Sequence, residues 1–265
     1  MDWKQELEEK GVVVIPGIFT PAQCRRYIHR IEEQVSRAIS PEKNLSAFLA
    51  ANAVNGVIHG LDNLRVLWEI RTDSKIREIF HELYGPTTPL YLYVDRFNYR
   101  PRGHLPLQEE WHIDEDPTRP QSEYQAFVSL TRSGEEDDCL GILEKSHRYM
   151  DEYVQRFPLY PFYREQYDWL LEKGCTPRRV ACLAGSLVLW DSRCYHTPLN
   201  SLRPVSLPRV VVYTRYFPAE RFPEDRRRRI FLTYPEFHDK SLDLVTEDDV
   251  DYHPYLYGIS HIVEK

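Results

Sequence analysis

The sequence contains no long apolar run, and no segment approaches the roughly 18 apolar residues that a membrane-spanning helix needs. Its first residues, MDWKQELEEKG, are charged and lack an apolar core region, so we expect no secretory signal. Cysteine is also scarce. The five cysteines are irregularly spaced without a C-x-x-C pair, which favours free thiols in a reducing compartment. These absences predict a soluble, intracellular protein of the cytoplasm.

Excess positive charge is missing as well. The 265 residues include 34 Lys and Arg against 41 Asp and Glu, a formal net charge of −7. This balance argues against nucleic acid or an anionic membrane as the main partner. The one basic run, at 225–229, is best explained as a solvated face. Nothing in the sequence predicts an oligomeric state.

The chain reads as a single domain of 265 residues, without repeats, linkers or low-complexity tracts. Residues 1–88 carry mostly helical patterns, at 2–10, after the capping residue Thr20, and twice within 63–84. Strand-like segments dominate 89–217, and 218–265 form a C-terminal extension. The aromatic stretch around 148–170 interrupts the strands, and we interpret it as an insertion that covers the sheet as a lid. The predicted class is therefore mainly β with flanking helices.

The motif WHIDED holds the first candidate site. In a strand, residues two apart point to the same side, so His112 and Asp114 can reach one metal ion together. The rival carboxylate, Asp116, lies twice as far along and precedes a proline. His196 follows the apolar segment GSLVLWDSRCY, where loops often carry functional groups. Two histidines and one carboxylate are the ligand pattern of non-haem iron(II) oxygenases.

Three arginines are candidates for binding an acidic ligand. Arg209 and Arg215 share one face of the segment PRVVVYTRY, and Arg203 precedes it. If this strand forms a hairpin with the strand before His196, Arg209 lies next to His196. A buried guanidinium offers two parallel donors to a carboxylate. We therefore favour Arg209, while Arg203 and Arg215 fit surface salt bridges.

The order of several motifs resembles the phytanoyl-CoA dioxygenase family of 2-oxoglutarate-dependent oxygenases. The resemblance covers residues 10 to 217 and rests on GVVVIPGIFTPAQC, RFNYRPRG, WHIDED, CLGILEKSH, AGSLVLWDSRCYH and the later arginine at 209. One departure is Lys145, which stands where the family usually has glycine. The family fold is a double-stranded β-helix, a jelly-roll (cupin-like) barrel with helices on one side.

The resemblance also implies a site and an activity. His112, Asp114 and His196 would bind Fe(II), Arg209 would bind the C5 carboxylate of 2-oxoglutarate, and Asn98 would lie near its C1 carboxylate. With O2, such an enzyme hydroxylates a small-molecule substrate and releases succinate and CO2. Related halogenases have a small residue at the position of Asp114, so its carboxylate favours hydroxylation over halogenation.

The prime substrate is not predicted by the sequence. Trp111, Tyr93 and Arg193 are candidate substrate-binding residues, without assignment to a substrate class. One alternative function is a catalytically silent jelly-roll protein that binds a metal, ligand or partner without turnover. Another is a cupin-like scaffold that binds a different metal.

Overall fold

The computed structural model describes residues 2–38, 53–54, 57–58, 61–93, 96–114, 123–157, 164–221, 243, 251–253 and 256–258. Within these ranges, no helix is both long and apolar enough to cross a membrane. The helices are α1 (Trp3–Lys10), α2 (Pro21–Ala38), α3 (Arg65–Arg71), α4 (Ser74–Tyr84), α5 (Met150–Arg156) and α6 (Arg164–Glu172), and 3₁₀ turns cover Ser146–Tyr149 and Ala219–Arg221.

The strands form two sheets. They are β1 (Val12–Ile15), β2 (Ala53–Val54), β3 (Val57–Ile58), β4 (Leu90–Tyr93), β5 (Phe97–Arg100), β6 (Tyr124–Ser129), β7 (Cys139–Glu144), β8 (Thr176–Val180), β9 (Ser186–Asp191), β10 (His196–Leu199), β11 (Arg209–Pro218), β12 (Asp251–His253) and β13 (Leu256–Gly258). The larger sheet has the order β1-β9-β6-β11-β4-β13-β12, with β5 also paired to β11, β3 to β5 and β2 to β3. The smaller sheet has the order β10-β7-β8.

Local signals in the sequence explain the helix ends. The Thr20 hydroxyl accepts a hydrogen bond from the Gln23 backbone N–H (3.3 Å), and the Gln23 side chain accepts one from the Thr20 N–H (2.9 Å). This reciprocal pair satisfies donors that the first turn of α2 leaves free, as predicted for a cap at Thr20. Helix α4 ends at Gly85, whose φ of +112° lies in the region that favours glycine.

Alternation along the central strands creates two apolar layers. In β6, Ala126 and Val128 pack with the helices in the outer layer, whereas Phe127 packs in the inner layer between the two sheets. The inner layer also contains Val188 and Trp190 of β9, and Leu140 and Ile142 from the smaller sheet. Two sheets that share an inner layer are the architecture of the double-stranded β-helix, and the predicted fold class is confirmed.

The aromatic insertion packs behind the smaller sheet. Tyr153, Trp169 and Leu170, from α5 and α6, form a cluster with Leu143 of β7 and the buried Ile113. The expectation that the insertion covers a sheet is therefore correct. The lid hypothesis is not supported by the described part of the insertion, because these aromatic side chains are used in packing; residues 158–163 lie outside the described ranges.

Candidate metal centre

Two histidines meet where the chain before β6 crosses the start of β10. His112 and His196 exchange both backbone hydrogen bonds, each with an N···O distance of 2.9 Å. Side chains of residues directly opposite each other in such a pair project to the same side. Accordingly, the two imidazole rings lie 4.4 Å apart between centroids.

Asp114 completes a group of three candidate metal ligands. Its Oδ1 lies 3.2 Å from His112 Nε2, and its Oδ2 lies 3.5 Å from His196 Nε2. One ligand atom from each residue lies within 4.8 Å of the others, a spacing that could hold a metal ion. The structure thus brings together the three residues that the sequence motifs single out. Their side chains range from buried His196 to the Asp114 carboxylate, which is 40% exposed.

Backbone carbonyls fix the orientation of both rings. His112 Nδ1 lies 2.7 Å from the Glu110 carbonyl oxygen, and His196 Nδ1 lies 3.0 Å from the Cys194 carbonyl oxygen. A carbonyl oxygen only accepts, so each Nδ1 carries a proton and each Nε2 faces the Asp114 carboxylate. Without a metal, a protonated Nε2 donates to Asp114; loss of that proton leaves a lone pair that would bind a metal, and the backbone carbonyls fix its direction.

The same contacts set the charges. Partial desolvation alone would raise the pKa of Asp114, but hydrogen bonds to His112 and His196 outweigh it and hold that pKa far below its ordinary value. Burial alone would lower the pKa of His112, yet Asp114 and the Glu110 carbonyl raise it above the ordinary value. Asp114 is consequently an ionised carboxylate, the form that binds a cation.

The segment that carries His112 is not the regular strand that the sequence suggests. His112 forms an isolated bridge with His196, and no ladder extends from it. The next hydrogen-bonded pair would join Glu110 to Pro198, and proline has no N–H to donate. The Glu110 carbonyl, left without that donor, accepts from the His112 ring instead. Asp116, the rival carboxylate, lies outside the described residues.

Sequence reasoning missed Gln125. Its Nε2 donates to Asp114 Oδ2 over 2.9 Å, and the side chain is almost fully buried. It lies directly opposite Trp190 in the ladder between β6 and β9, and the Trp190 ring is 5.7 Å from that of His196. The available signal was a polar residue alternating with apolar ones in YQAFVS, but alternation does not tell which face is the inner one.

A buried basic cluster lies in the same barrel. Arg100 and Arg209 are opposite each other on β5 and β11, and both are buried. Arg100 pairs with Asp138 over 3.2 Å, and His104 Nε2 contacts the same carboxylate oxygen. Burial, and then the charge of Arg209, lower the pKa of Arg100 to about 10. Among the described residues this cluster thus holds two buried guanidinium groups but one carboxylate, Asp138, and an added anion would be stabilised here.

Arg209 differs from the other candidate arginines in its contacts. Its guanidinium lies 5.4 Å from the Phe127 ring centre, and its Nε has no hydrogen-bond partner within the described ranges. In contrast, Arg215 pairs with Glu123 over 2.8 Å, and the half-exposed Arg203 pairs with Asp137. Among these three arginines, Arg209 is the one whose charge faces the inner layer with no carboxylate of the described ranges bound to it.

The hairpin that led to Arg209 is nevertheless wrong. β6 lies between β9 and β11, so the two strands run parallel to each other. The ladder places Val211 opposite Ser129, and Ser129 opposite Ser186, so Arg209 is level with the beginning of β9. His196 follows the other end of β9. The face of the strand on which Arg209 was placed does not depend on the hairpin. The Arg209 guanidinium overlies Phe127, and Phe127 packs in the inner layer.

The remaining candidates occupy different environments. Asn98 is buried on β5, opposite Val211 of the inner layer. Tyr93 is opposite Arg215 and is edge-on to Phe217. Trp111 stacks on Tyr195, with centroids 6.3 Å apart and planes inclined by 8°. Arg193 donates to both carboxylate oxygens of Asp191, its neighbour two residues before.

Fold and site together define a class: double-stranded β-helix proteins with a His-x-Asp and a distant His that could hold a metal ion. The chain belongs to the phytanoyl-CoA dioxygenase family, whose sequence profile matches residues 7–199. It is therefore a non-haem oxygenase dependent on iron(II) and 2-oxoglutarate, as the resemblance implied.

Several relatives are similar over most of the chain. The Ava biosynthesis cluster protein O of Aspergillus versicolor is 22% identical and covers 74% of this chain and 71% of its own length. EctD from S. alaskensis, solved with 2-oxoglutarate and 5-hydroxyectoine, has a TM-score of 0.61 at 17% identity, over 83% of this chain and 77% of its own. The epimerase SnoN from nogalamycin biosynthesis has a TM-score of 0.55 at 15% identity, over 82% and 81%. At these identities the solved structures establish the fold.

Proposed function

We propose that this protein oxidises a small molecule at an iron(II) ion held by His112, Asp114 and His196. The observation that carries the proposal is the convergence of two imidazole nitrogens and one carboxylate oxygen within 4.8 Å. All three donors suit iron(II), and a set of three leaves other coordination positions for the cosubstrate and O2. When bound, the metal supplies the activation of O2, with oxidative decarboxylation of 2-oxoglutarate to succinate and CO2.

In this proposal the basic cluster binds the cosubstrate. Arg209 offers a planar pair of donors to the distal (C5) carboxylate, and Arg100 beside it adds positive charge. Asn98, two residues before Arg100 on the same face of β5, is assigned to the C1 carboxylate by the family resemblance. Burial of the cluster excludes water, which strengthens each of these contacts.

The oxidation that we propose is hydroxylation. Asp114 retains the carboxylate that would leave no room for a halide at the metal, which disfavours halogenation. EctD was solved with 5-hydroxyectoine, a hydroxylated small molecule, whereas SnoN is an epimerase. Relatives with one fold therefore differ in reaction, and the outcome depends on how each chain holds its substrate.

We also propose that the chain works as one unit, consisting of helices within 1–88, a barrel core at 89–217 and an extension at 218–265. β1, from the first part, pairs with β9 of the core, and β13, from the extension, pairs with β4 of the core. These pairings join all three parts in one sheet, which supports a single unit.

The test is a titration of the metal-free protein with iron(II) and 2-oxoglutarate without oxygen. A visible charge-transfer band that needs both components is the expected result, because both must bind to one site. Admission of O2 with a panel of metabolites should then couple 2-oxoglutarate consumption to one substrate. A band without consumption for any substrate would favour the catalytically silent alternative, and no band would contradict the metal site.

A further inference from the structure

The Asp114 carboxylate has little backbone support. Asp114 belongs to no strand, follows the isolated His112 bridge, and has a side chain that is 40% exposed. Gln125 differs in both respects, because it lies in β6, which is hydrogen-bonded to β9 on one side and β11 on the other, and it is 7% exposed. The 2.9 Å hydrogen bond from Gln125 Nε2 to Asp114 Oδ2 thus connects a weakly supported ligand to the centre of the larger sheet.

We propose that Gln125 is a positioning residue that fixes the orientation of the Asp114 carboxylate for the metal. This inference rests on the proposed iron site. A carboxylate only accepts hydrogen bonds, so the Gln125 amide must turn its NH2 group to Oδ2. That bond uses one acceptor position of Oδ2 and leaves Oδ1, which is 3.2 Å from His112 Nε2, as the oxygen that we assign to the metal.

The consequence is attachment of the metal through one carboxylate oxygen. If both oxygens were free to bind, Asp114 would take a further coordination position, which the cosubstrate and O2 need. Hydrogen-bonding partners that orient a metal ligand typically change metal affinity about 10- to 100-fold when they are removed. Gln125 does not replace any of the three ligands, so the metal should still bind without it.

The experiment compares cobalt(II) binding by the full chain as wild type, Gln125→Met and Gln166→Met. Cobalt(II) replaces iron(II) as a probe because its visible bands report coordination number. Gln166 is a matched control, since it is also a buried glutamine (3% exposed) but lies on α6 of the insertion. Methionine preserves the length of each side chain and removes its donors.

We expect Gln125→Met to weaken cobalt(II) binding about 10- to 100-fold, with visible bands at saturation that differ from the wild type. A generally destabilised protein would bind less cobalt but show unchanged bands. Gln125→Asn, which shortens the side chain by roughly 1.5 Å, provides a second variant should Gln125→Met fail to fold, and the same result is expected.

The outcomes separate the two proposals. If the wild type does not bind cobalt(II), the iron site itself is wrong. If the wild type binds and a folded Gln125 variant has the same affinity and bands, the positioning role is overturned while the iron site stands. An equal loss of affinity in Gln166→Met would also overturn it, because the effect would then be general to buried glutamines.

Discussion

Replacement of Arg209 by methionine should separate cosubstrate binding from folding. The guanidinium is buried, and its Nε has no partner among the described residues, so the charge is not needed for any internal ion pair at that atom. Loss of one partner from a buried, hydrogen-bonded charge pair costs about 2–5 kcal/mol. At about 1.4 kcal/mol for each factor of ten, the requirement for 2-oxoglutarate should rise roughly 30-fold to several thousand-fold.

Arg209→Met should weaken cosubstrate binding without lowering the stability of the ligand-free protein. Arg100 lies beside Arg209, and Asp138, already bound by Arg100 and His104, is the carboxylate described in this cluster. Removing Arg209 relieves repulsion between two buried cations, so Arg209→Met without ligands should unfold at the wild-type temperature or above it. The stabilisation that 2-oxoglutarate gives the metal-loaded protein should shrink in the variant, since it depends on cosubstrate affinity.

The assay is the anaerobic charge-transfer titration with iron(II), combined with thermal unfolding of the metal-free protein. Arg203→Met is the control, because Arg203 is half-exposed and pairs with Asp137. An unchanged 2-oxoglutarate requirement in Arg209→Met, or a larger effect from Arg203→Met, would refute the assignment.

Three other changes give distinct results. Asp114→Ala should abolish iron binding in calorimetric titration, whereas Asp116→Ala should leave it largely intact; the reverse result would move the carboxylate ligand. Tyr167→Leu should lower the free energy of unfolding by about 0.5–1.5 kcal/mol in denaturant melts, since the Tyr167 ring centre lies 5.0 Å from that of Trp111 and 6.4 Å from that of Tyr195 and such aromatic pairs contribute about that much; unchanged stability would show that these ring contacts contribute little. Lys145→Gly should raise the free energy of unfolding by about 0.5–1 kcal/mol in denaturant melts, because Lys145 is exposed with φ of +72°; a loss of stability would show that its side chain matters.

Sequence spacing was sufficient to single out the three candidate ligands, which the structure brings together, but it did not predict the contacts around them. His112 and Asp114 were found because residues two apart share a side, and the structure keeps them together even though the strand is reduced to one bridge. The strand does not extend because Pro198, which would lie opposite Glu110, has no N–H for the next ladder hydrogen bond. The sequence does not show which residues will be paired, so this could not be predicted. Alternation identifies strands but does not identify their partners.

The contacts around the candidate site could not be predicted either, because alternation does not show which strands are neighbours. Gln125 donates to Asp114, and Arg100 donates to Asp138, and each pair joins residues from different parts of the barrel. The proposed hairpin of β11 with β9 was wrong because β6, which comes much earlier in the chain, is inserted between them. Helix ends depend on local chemistry, so Thr20 and Gly85 were predictable where sheet order was not.

The alternation at the ligands also bears on the prime substrate. His112 directs its Nε2 to Asp114, whereas Trp111 and Ile113, on either side of it, pack into the aromatic cluster of the insertion. Tyr195, the residue before His196, also packs into this aromatic cluster. Trp111 is thus engaged in packing, and the guanidinium of Arg193 is engaged by Asp191.

Of the three candidates for substrate binding, Tyr93 is the one at the end of the larger sheet where Gln125 meets Asp114. Its partner in the ladder, Arg215, follows Thr214, which is opposite Ala126, so Tyr93 is level with Gln125. Arg215 pairs there with Glu123, which adds a charged pair beside the tyrosine. Tyr93 also packs partly against the large hydrophobic cluster, so none of the three side chains is placed by its contacts alone. Because Tyr93 is level with Gln125, the residue that donates to Asp114, we propose it as the first of the three to test for substrate binding.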